Sequence, residues 1–194
     1  MTRLILIRHS QTDYSLEKRY CGFSDPPLND EGIWQAKRLA DRLKSLKVDK
    51  VYSSDLKRAH QTAEIVFKNG PVEKSADLRE MNFGIFEGLS YEMIIEKYPD
   101  LYSDWIADPA KIKIPDGEGL TDLSKRVLKK VASILSRDAD RTIAIVAHGG
   151  PIRIILCNAL GYDPKIFWQI EQEPCALNII DYPNAAAPIV VLEE

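Results

Sequence analysis

The sequence predicts an α/β fold whose sheet is mostly parallel, and three observations carry that prediction. Leu4-Ile5-Leu6-Ile7 and Ile143-Ala144-Ile145-Val146-Ala147 are continuous apolar runs, the pattern of strands covered on both faces. Amphipathic helices are interleaved with the strands. The chain is 194 residues long, enough to bury one sizeable core and too short for two full domains.

In chain order, the first strand is Leu4–Ile7. Asn29 caps a helix with Ile33, Ala36, Leu39, Ala40, Leu43 and Leu46 at three- and four-residue steps. A short strand follows at Val51-Tyr52. Ser53-Ser54-Asp55 then offers capping oxygens to a helix bearing Leu56, Ala59, Ala63 and Val66, ended by Gly70-Pro71. Between Leu78 and Gly119 glycines and prolines break the pattern into short pieces such as Tyr91–Tyr98 and Leu101–Ala107. We expect residues 81–119 to form a small helical insertion or lid within a single domain spanning 1–194. Regularity returns with Leu120, Leu123, Val127, Val131 and Leu135 on a helix capped by Thr121, and then with the strand Ile143–Ala147. A helix over Ile152–Leu160 stops at Gly161, and Leu177–Tyr182 and Ile189–Leu192 read as closing strands.

Composition narrows the function classes. Hydrophobic residues make up 45% and charged residues 28%, with a net charge of -3, which excludes a disordered chain and gives no basic footprint for nucleic acid. No apolar run approaches the roughly 20 residues of a membrane helix. Without a secretory leader pattern, the expected compartment is the cytoplasm. Three cysteines with no CxxC pair fit a reducing environment and no structural zinc site. The expected partner is a small molecule, with no metal, no cofactor, no nucleic acid and no membrane; a homodimer is the assembly to test.

Two histidines occupy equivalent places, because Arg8-His9 directly follows one buried strand and His148-Gly149-Gly150 follows another. Ligands of open α/β sheets bind beyond the carboxyl ends of the strands. Parallel neighbours would therefore bring both imidazoles to one pocket, with Arg58 from the helix after Val51-Tyr52 at the same rim. The helix beginning near Gly149 would add free N–H groups. Taken singly, each reads as a surface or capping residue; His60 reads as helix surface. Two arginines, two histidines and a helix N-terminus together suit a phosphate dianion. Signatures of P-loops, dinucleotide folds, zincins and serine hydrolases do not occur. Asp138-Ala139-Asp140-Arg141-Thr142 mimics the DxDxT of aspartate phosphatases, but it precedes a strand instead of following one, so we expect a solvated turn.

Leu6-Ile7-Arg8-His9-Ser10-Gln11-Thr12 resembles the LIRHGxT signature of the histidine phosphatase superfamily, the phosphoglycerate-mutase-like proteins. Further matches follow in order: Cys21 to Leu28, Ser53 to Ala59, Leu78 to Gly84 with Glu87-Gly88, Pro115 to Glu118, and Ala147 to Gly150. The resemblance implies a three-layer sandwich with a central, mostly parallel sheet. It implies His9 as the nucleophile that becomes phosphohistidine, with Arg8, Arg58, His148 and Gly149 around the phosphate. His148 also counts among the catalytic positions, Glu80 as proton donor, and Gln11, Thr12, Cys21 and Gly22 as substrate-binding positions. The similarity is strongest to the branch holding α-ribazole-5′-phosphate phosphatases and metal-independent phosphoserine phosphatases. Ser10 departs from the family's usual glycine, so the turn after His9 either accommodates a side chain or has shifted.

The chemistry suits these residues. Flanking arginines disfavour imidazolium and keep His9 nucleophilic, fixed cations stabilise the charge spread over the phosphoryl oxygens, and a neighbouring dianion favours a protonated Glu80. The expected partner is then a small phosphorylated metabolite, and the expected substrate is α-ribazole 5′-phosphate; the alternatives are phosphoserine, phosphoglycerate in a mutase, and a phosphate-binding protein without turnover. Tyr14, Tyr20, Phe23, Tyr91, Tyr102 and Trp105 are candidate walls. With about 12 residues after Tyr182, little chain remains to cover the site, so hydrolysis is expected over mutase transfer.

Overall fold

The computed structural model describes residues 1–68, 70–183 and 186–191. Its elements are β1 (Thr2–Arg8), α1 (Asp13–Leu16), α2 (Asp30–Leu43), β2 (Lys50–Ser54), α3 (Lys57–Val66), β3 (Val72–Ser75), α4 (Tyr91–Lys97), α5 (Pro99–Ala107), α6 (Leu120–Arg137), β4 (Thr142–Ala147), α7 (Gly149–Leu160), β5 (Leu177–Tyr182) and β6 (Ile189–Val191). Leu192, expected to end the last strand, lies outside the described residues. Among those residues no helix is long and apolar enough to cross a membrane.

The six strands form one mixed sheet in the order β3-β2-β4-β1-β5-β6; the first four are mutually parallel, β5 runs antiparallel to β1, and β6 runs antiparallel to β5. Strand residues alternate between its faces. Ile5, Ile7, Ala144 and Val146 pack with Ala36, Leu39 and Leu43 of α2 and with Ala63 and Val66 of α3. Leu4, Leu6, Ile143 and Ile145 pack with Leu123, Val127 and Val131 of α6 and with Ile152 and Ile155 of α7. Helices on both faces make the three-layer sandwich. The segment 81–119 adds to the second cluster, with Phe86, Ile94, Trp105 and Ile114 fully buried in it. Gly84 seats this segment against 114–117: its φ is +51°, and a Cβ there would lie 2.0 Å from the Pro115 carbonyl oxygen.

Asn29 caps α2 as expected, its Oδ1 accepting from the Gly32 N–H at 2.9 Å. Other end signals resolve differently. Ser53 and Ser54 belong to β2, paired with Lys74 and Ser75, and the first turn of α3 is capped from far upstream, Asp25 Oδ1 accepting from the Lys57 N–H at 2.6 Å. Asp55 is held by Arg79 through two bonds of 2.8 and 2.6 Å. Gly119, not Thr121, precedes α6, where the Asp122 carboxylate accepts from the Gly119 N–H at 3.2 Å. Ile134 rather than Leu135 is fully buried at the end of that helix's stripe. Helix α7 starts at Gly149 instead of Ile152, because Pro151 falls in the first turn, where its missing N–H costs nothing. β3 carries no strand signal in the sequence, since an edge strand reading Val-Glu-Lys-Ser has no apolar alternation.

Asp138 also corrects an expectation. It is buried, not solvated: its carboxylate accepts from Tyr52 Oη at 2.6 Å and from Arg141 Nη1 at 3.1 Å. The hydrogen bonds hold it well in the carboxylate form. Tyr52→Phe should therefore lower the urea-unfolding free energy by about 1–3 kcal/mol, the usual cost of removing one partner of a buried polar group, at unchanged catalytic rate. A loss under about 0.5 kcal/mol, the scale of ordinary surface changes, would show that the hydroxyl does not anchor Asp138.

Candidate active site

β1 and β4 are parallel neighbours with Arg8 opposite Ala147, so the residues that follow them, His9 and His148, emerge side by side at the carboxyl edge. Their ring centroids are 5.1 Å apart with 60° between planes. The His9 N–H extends the ladder to the Ala147 carbonyl at 2.9 Å. The first turn of α3 inserts Arg58, fully buried, and α7 begins at the next residue after His148.

His9 is held in one tautomer. Its Nδ1 lies 2.7 Å from the Ser10 carbonyl oxygen, and a carbonyl can only accept, so Nδ1 carries the proton and Nε2 keeps its lone pair. Ser10 accommodates its side chain without left-handed backbone. Its N–H donates to Thr62 Oγ1 at 3.0 Å and its hydroxyl sits 3.0 Å from Cys175 Sγ.

Among the described residues the cations around His9 have no carboxylate partners. Arg58 donates from Nη1 to the Ser24 carbonyl at 2.7 Å and from Nη2 to those of Cys21 and Gly22 at 3.1 and 2.8 Å. Arg8 donates from Nη1 to the Gln172 carbonyl. The Nε atoms of both arginines and both ring nitrogens of His148 are buried without a hydrogen-bond partner among the described residues. Such groups are costly unless a ligand completes them. With one N–H on a neutral His148, three unfilled donors, two of them on cations, fit a phosphate.

Glu80 faces this cluster from the loop after β3. Its carboxylate accepts from the Met81 N–H at 2.8 Å and from the Gly150 N–H at 3.1 Å, so it caps α7. Arg126 on α6 fixes the loop by donating to the carbonyls of Arg79 (2.7 Å) and Glu80 (2.8 Å), while Glu118 holds Arg126 at 2.7 Å. A cleft of about 320 Å³ opens here, with Arg8, His9, Thr12, Cys21 and Glu80 on its wall.

Of the remaining sequence-derived positions, Gly149 borders Glu80 and Arg153. Gln11 and Gly22 do not reach the cleft wall: the Gln11 side chain accepts from Asn29 Nδ2 at 3.1 Å, and Gly22 supports Arg58 from behind, where a Cβ would lie 2.2 Å from the Met81 carbonyl oxygen. Tyr20 and Tyr91 line the cleft, whereas Trp105 is core and Tyr102 is bonded to Tyr20 through their hydroxyls at 2.9 Å. His60 is not plain helix surface; it packs down on β2 with Nδ1 3.2 Å from Ser53 Oγ. Arg126, Arg153, Phe83 and Trp168 escaped the sequence reading. Arg126 and Arg153 resemble solvated helix residues until the tertiary contacts are known. No cluster of three or more metal-ligating side chains occurs among the described residues.

Burial, then the charges of Arg58 and Arg8, push His9 well below the usual histidine range. His148 is lowered likewise, by burial, then Arg58 and His9. Both are neutral in the folded protein at pH values where an unfolded histidine, near 6.5, is already protonated. The unfolded state therefore binds up to two more protons below that pH, and stability falls as pH drops. As pH falls through the ordinary histidine range near 6.5 and the unfolded chain takes up these protons, the unfolding free energy should fall with a slope of at most about 2.7 kcal/mol per pH unit from this pair. His148→Gln should halve that slope in urea titrations at stepped pH; an unchanged slope would mean that His148 is not buried neutral.

Comparison with known proteins agrees with this geometry. The model of the histidine phosphatase superfamily (branch 1) matches residues 4–194. Phosphoserine phosphatase 1 of Hydrogenobacter thermophilus is 35% identical over 182 residues, 93% of this chain and 86% of that protein. The structure of α-ribazole phosphatase from Shigella flexneri superposes with a TM-score of 0.89 at 29% identity, covering 98% of this chain and 95% of the other. That of Bacillus stearothermophilus YhfR gives a TM-score of 0.92 at 28% identity, covering 100% and 96%. With a tautomerically fixed histidine, arginines bonded to carbonyl oxygens and a facing carboxylate on this sandwich, the chain belongs to the histidine phosphatase superfamily, branch 1.

Proposed function

We propose that this phosphatase hydrolyses a small phosphomonoester through a phosphohistidine formed on His9 Nε2. The observation that carries this reading is the cluster of buried donors, without a partner among the described residues, around a histidine whose lone pair is free. The Nε2 lone pair attacks phosphorus and the P–O ester bond breaks. Arg8, Arg58 and His148 supply donors to the nonbridging oxygens, where transition-state charge is spread. The departing oxygen takes its proton from Glu80. Glu80, now a carboxylate, removes a proton from water, which attacks phosphorus and breaks the P–N bond, and His9 returns to its neutral form. Thr12 and Cys21 on the cleft wall meet the rest of the substrate, and the segment 81–119 supplies part of that wall through Phe83 and Tyr91. Candidate substrates are α-ribazole 5′-phosphate, expected from the sequence, and phosphoserine, each named for a similar protein.

Brief incubation with a labelled phosphomonoester should leave an acid-labile, base-stable label on the protein. His9→Ala should abolish it and slow turnover by roughly 10³-fold or more; full activity in that variant would overturn the mechanism. Glu80→Gln should slow an alkyl phosphate by roughly 10²- to 10⁴-fold, as expected for a lost general acid. An aryl phosphate with an acidic leaving group should lose much less. Equal losses on both would assign Glu80 to binding instead.

A further inference from the structure

Arg153 lies in the site yet has no part in the phosphoryl chemistry. It projects from the second turn of α7 into the cleft beside Trp168. Its Nε is committed to the Ile170 carbonyl at 2.7 Å, and its guanidinium lies 5.5 Å from the ring centres of both Phe167 and Trp168. The two terminal nitrogens have no hydrogen-bond or ion-pair partner among the described residues. Glu80 is the nearest negative influence on it, but the Glu80 oxygens are taken by backbone N–H groups and come no closer than ion-pair distance. A half-buried guanidinium, stacked and anchored at one nitrogen, thus presents a rigid two-donor edge to the cleft.

Its position relative to Glu80 says what the edge is for. Arg153 Nη1 and Glu80 Oε2 lie 3.0 and 3.8 Å from the point where a Cβ on Gly149 would stand, so the two groups flank the same backbone position. If Glu80 protonates the leaving oxygen, Arg153 stands on the leaving-group side and not behind the phosphoryl group. The other rim cations are less suited. Arg19 is occupied by Glu17 at 2.5 Å and by the Gly88 carbonyl at 2.9 Å, and Lys18 is exposed to solvent.

We infer that Arg153 is a specificity residue that binds a carboxylate on the substrate, so that the preferred substrates are phosphomonoesters of hydroxy or amino acids with the carboxylate close to the ester oxygen. This rests on the reading of Glu80 and His9 given above. A planar fork facing a carboxylate forms two parallel charge-assisted bonds, which a neutral or cationic leaving group cannot use. Substrates lacking the acid would leave the guanidinium unpaired in the cleft.

The test compares O-phosphoserine with O-phosphoethanolamine, which is the same molecule without its carboxylate, by calorimetric affinity in a His9→Ala background. Because nothing turns over there, the result does not depend on the phosphohistidine, whose absence would be seen separately in the labelling experiment. O-phosphoserine should bind at least about 30-fold more tightly, and adding Arg153→Gln should bring the two ligands within about threefold. Inorganic phosphate affinity on the same preparations reports whether the pocket is intact. Arg153→Lys, which keeps the charge but not the fork, should retain part of the preference and serves if the glutamine variant does not fold. Equal affinities with Arg153 present, or equal losses for both ligands with phosphate affinity preserved, would overturn the assignment.

Discussion

Among the described residues two guanidinium groups, the half-buried Arg8 and the fully buried Arg58, are bonded to carbonyl oxygens rather than carboxylates, and most of the site follows from that choice of partner. A carboxylate would neutralise them and remove their attraction for an anion. Carbonyl dipoles steady the charge without cancelling it, leaving a field aimed at the place where a phosphoryl group accumulates charge. The burial is unfavourable for the folded protein. It is tolerated where β1 and β4 end and α3 and α7 begin, because the surrounding sheet and helices fill two well-packed layers.

The same field sets the state of the histidines. With burial it keeps His9 and His148 neutral, the form a nucleophile needs, and the Ser10 carbonyl selects which nitrogen of His9 is free. Ser10 is tied to Thr62 through its N–H and to Cys175 through its hydroxyl, which braces the carbonyl orienting His9. Glu80 is placed with similar economy, through Arg126, Glu118 and the first turn of α7. Acid and nucleophile are thus positioned from opposite layers of the sandwich.

Much of this was legible in the sequence because it is local. Continuous apolar runs announce strands covered on both faces, and Arg8-His9 and His148-Gly149 announce themselves by following such runs. Asn29 is a cap whose partner lies three residues away. What could not be read depends on contacts between distant segments. Asp25 caps α3 across 32 residues, Asp138 is buried only because Tyr52 and Arg141 converge on it, and Arg126 and Arg153 sit on helix faces whose destination only the tertiary packing decides. Gln11 illustrates the converse, since a motif residue beside the nucleophile turns to Asn29 and the start of α2.

The protonation state of His9 is the most direct point of attack. Nitrogen-15 NMR of the imidazoles in the ligand-free protein distinguishes the two neutral tautomers from imidazolium at each histidine. The expected result is a neutral His9 protonated on Nδ1, unchanged as pH falls from 8 through the ordinary histidine range near 6.5. An Nε2-protonated ring, or a His9 that becomes imidazolium near 6.5, would contradict the claim that buried arginines without carboxylates hold this nucleophile ready.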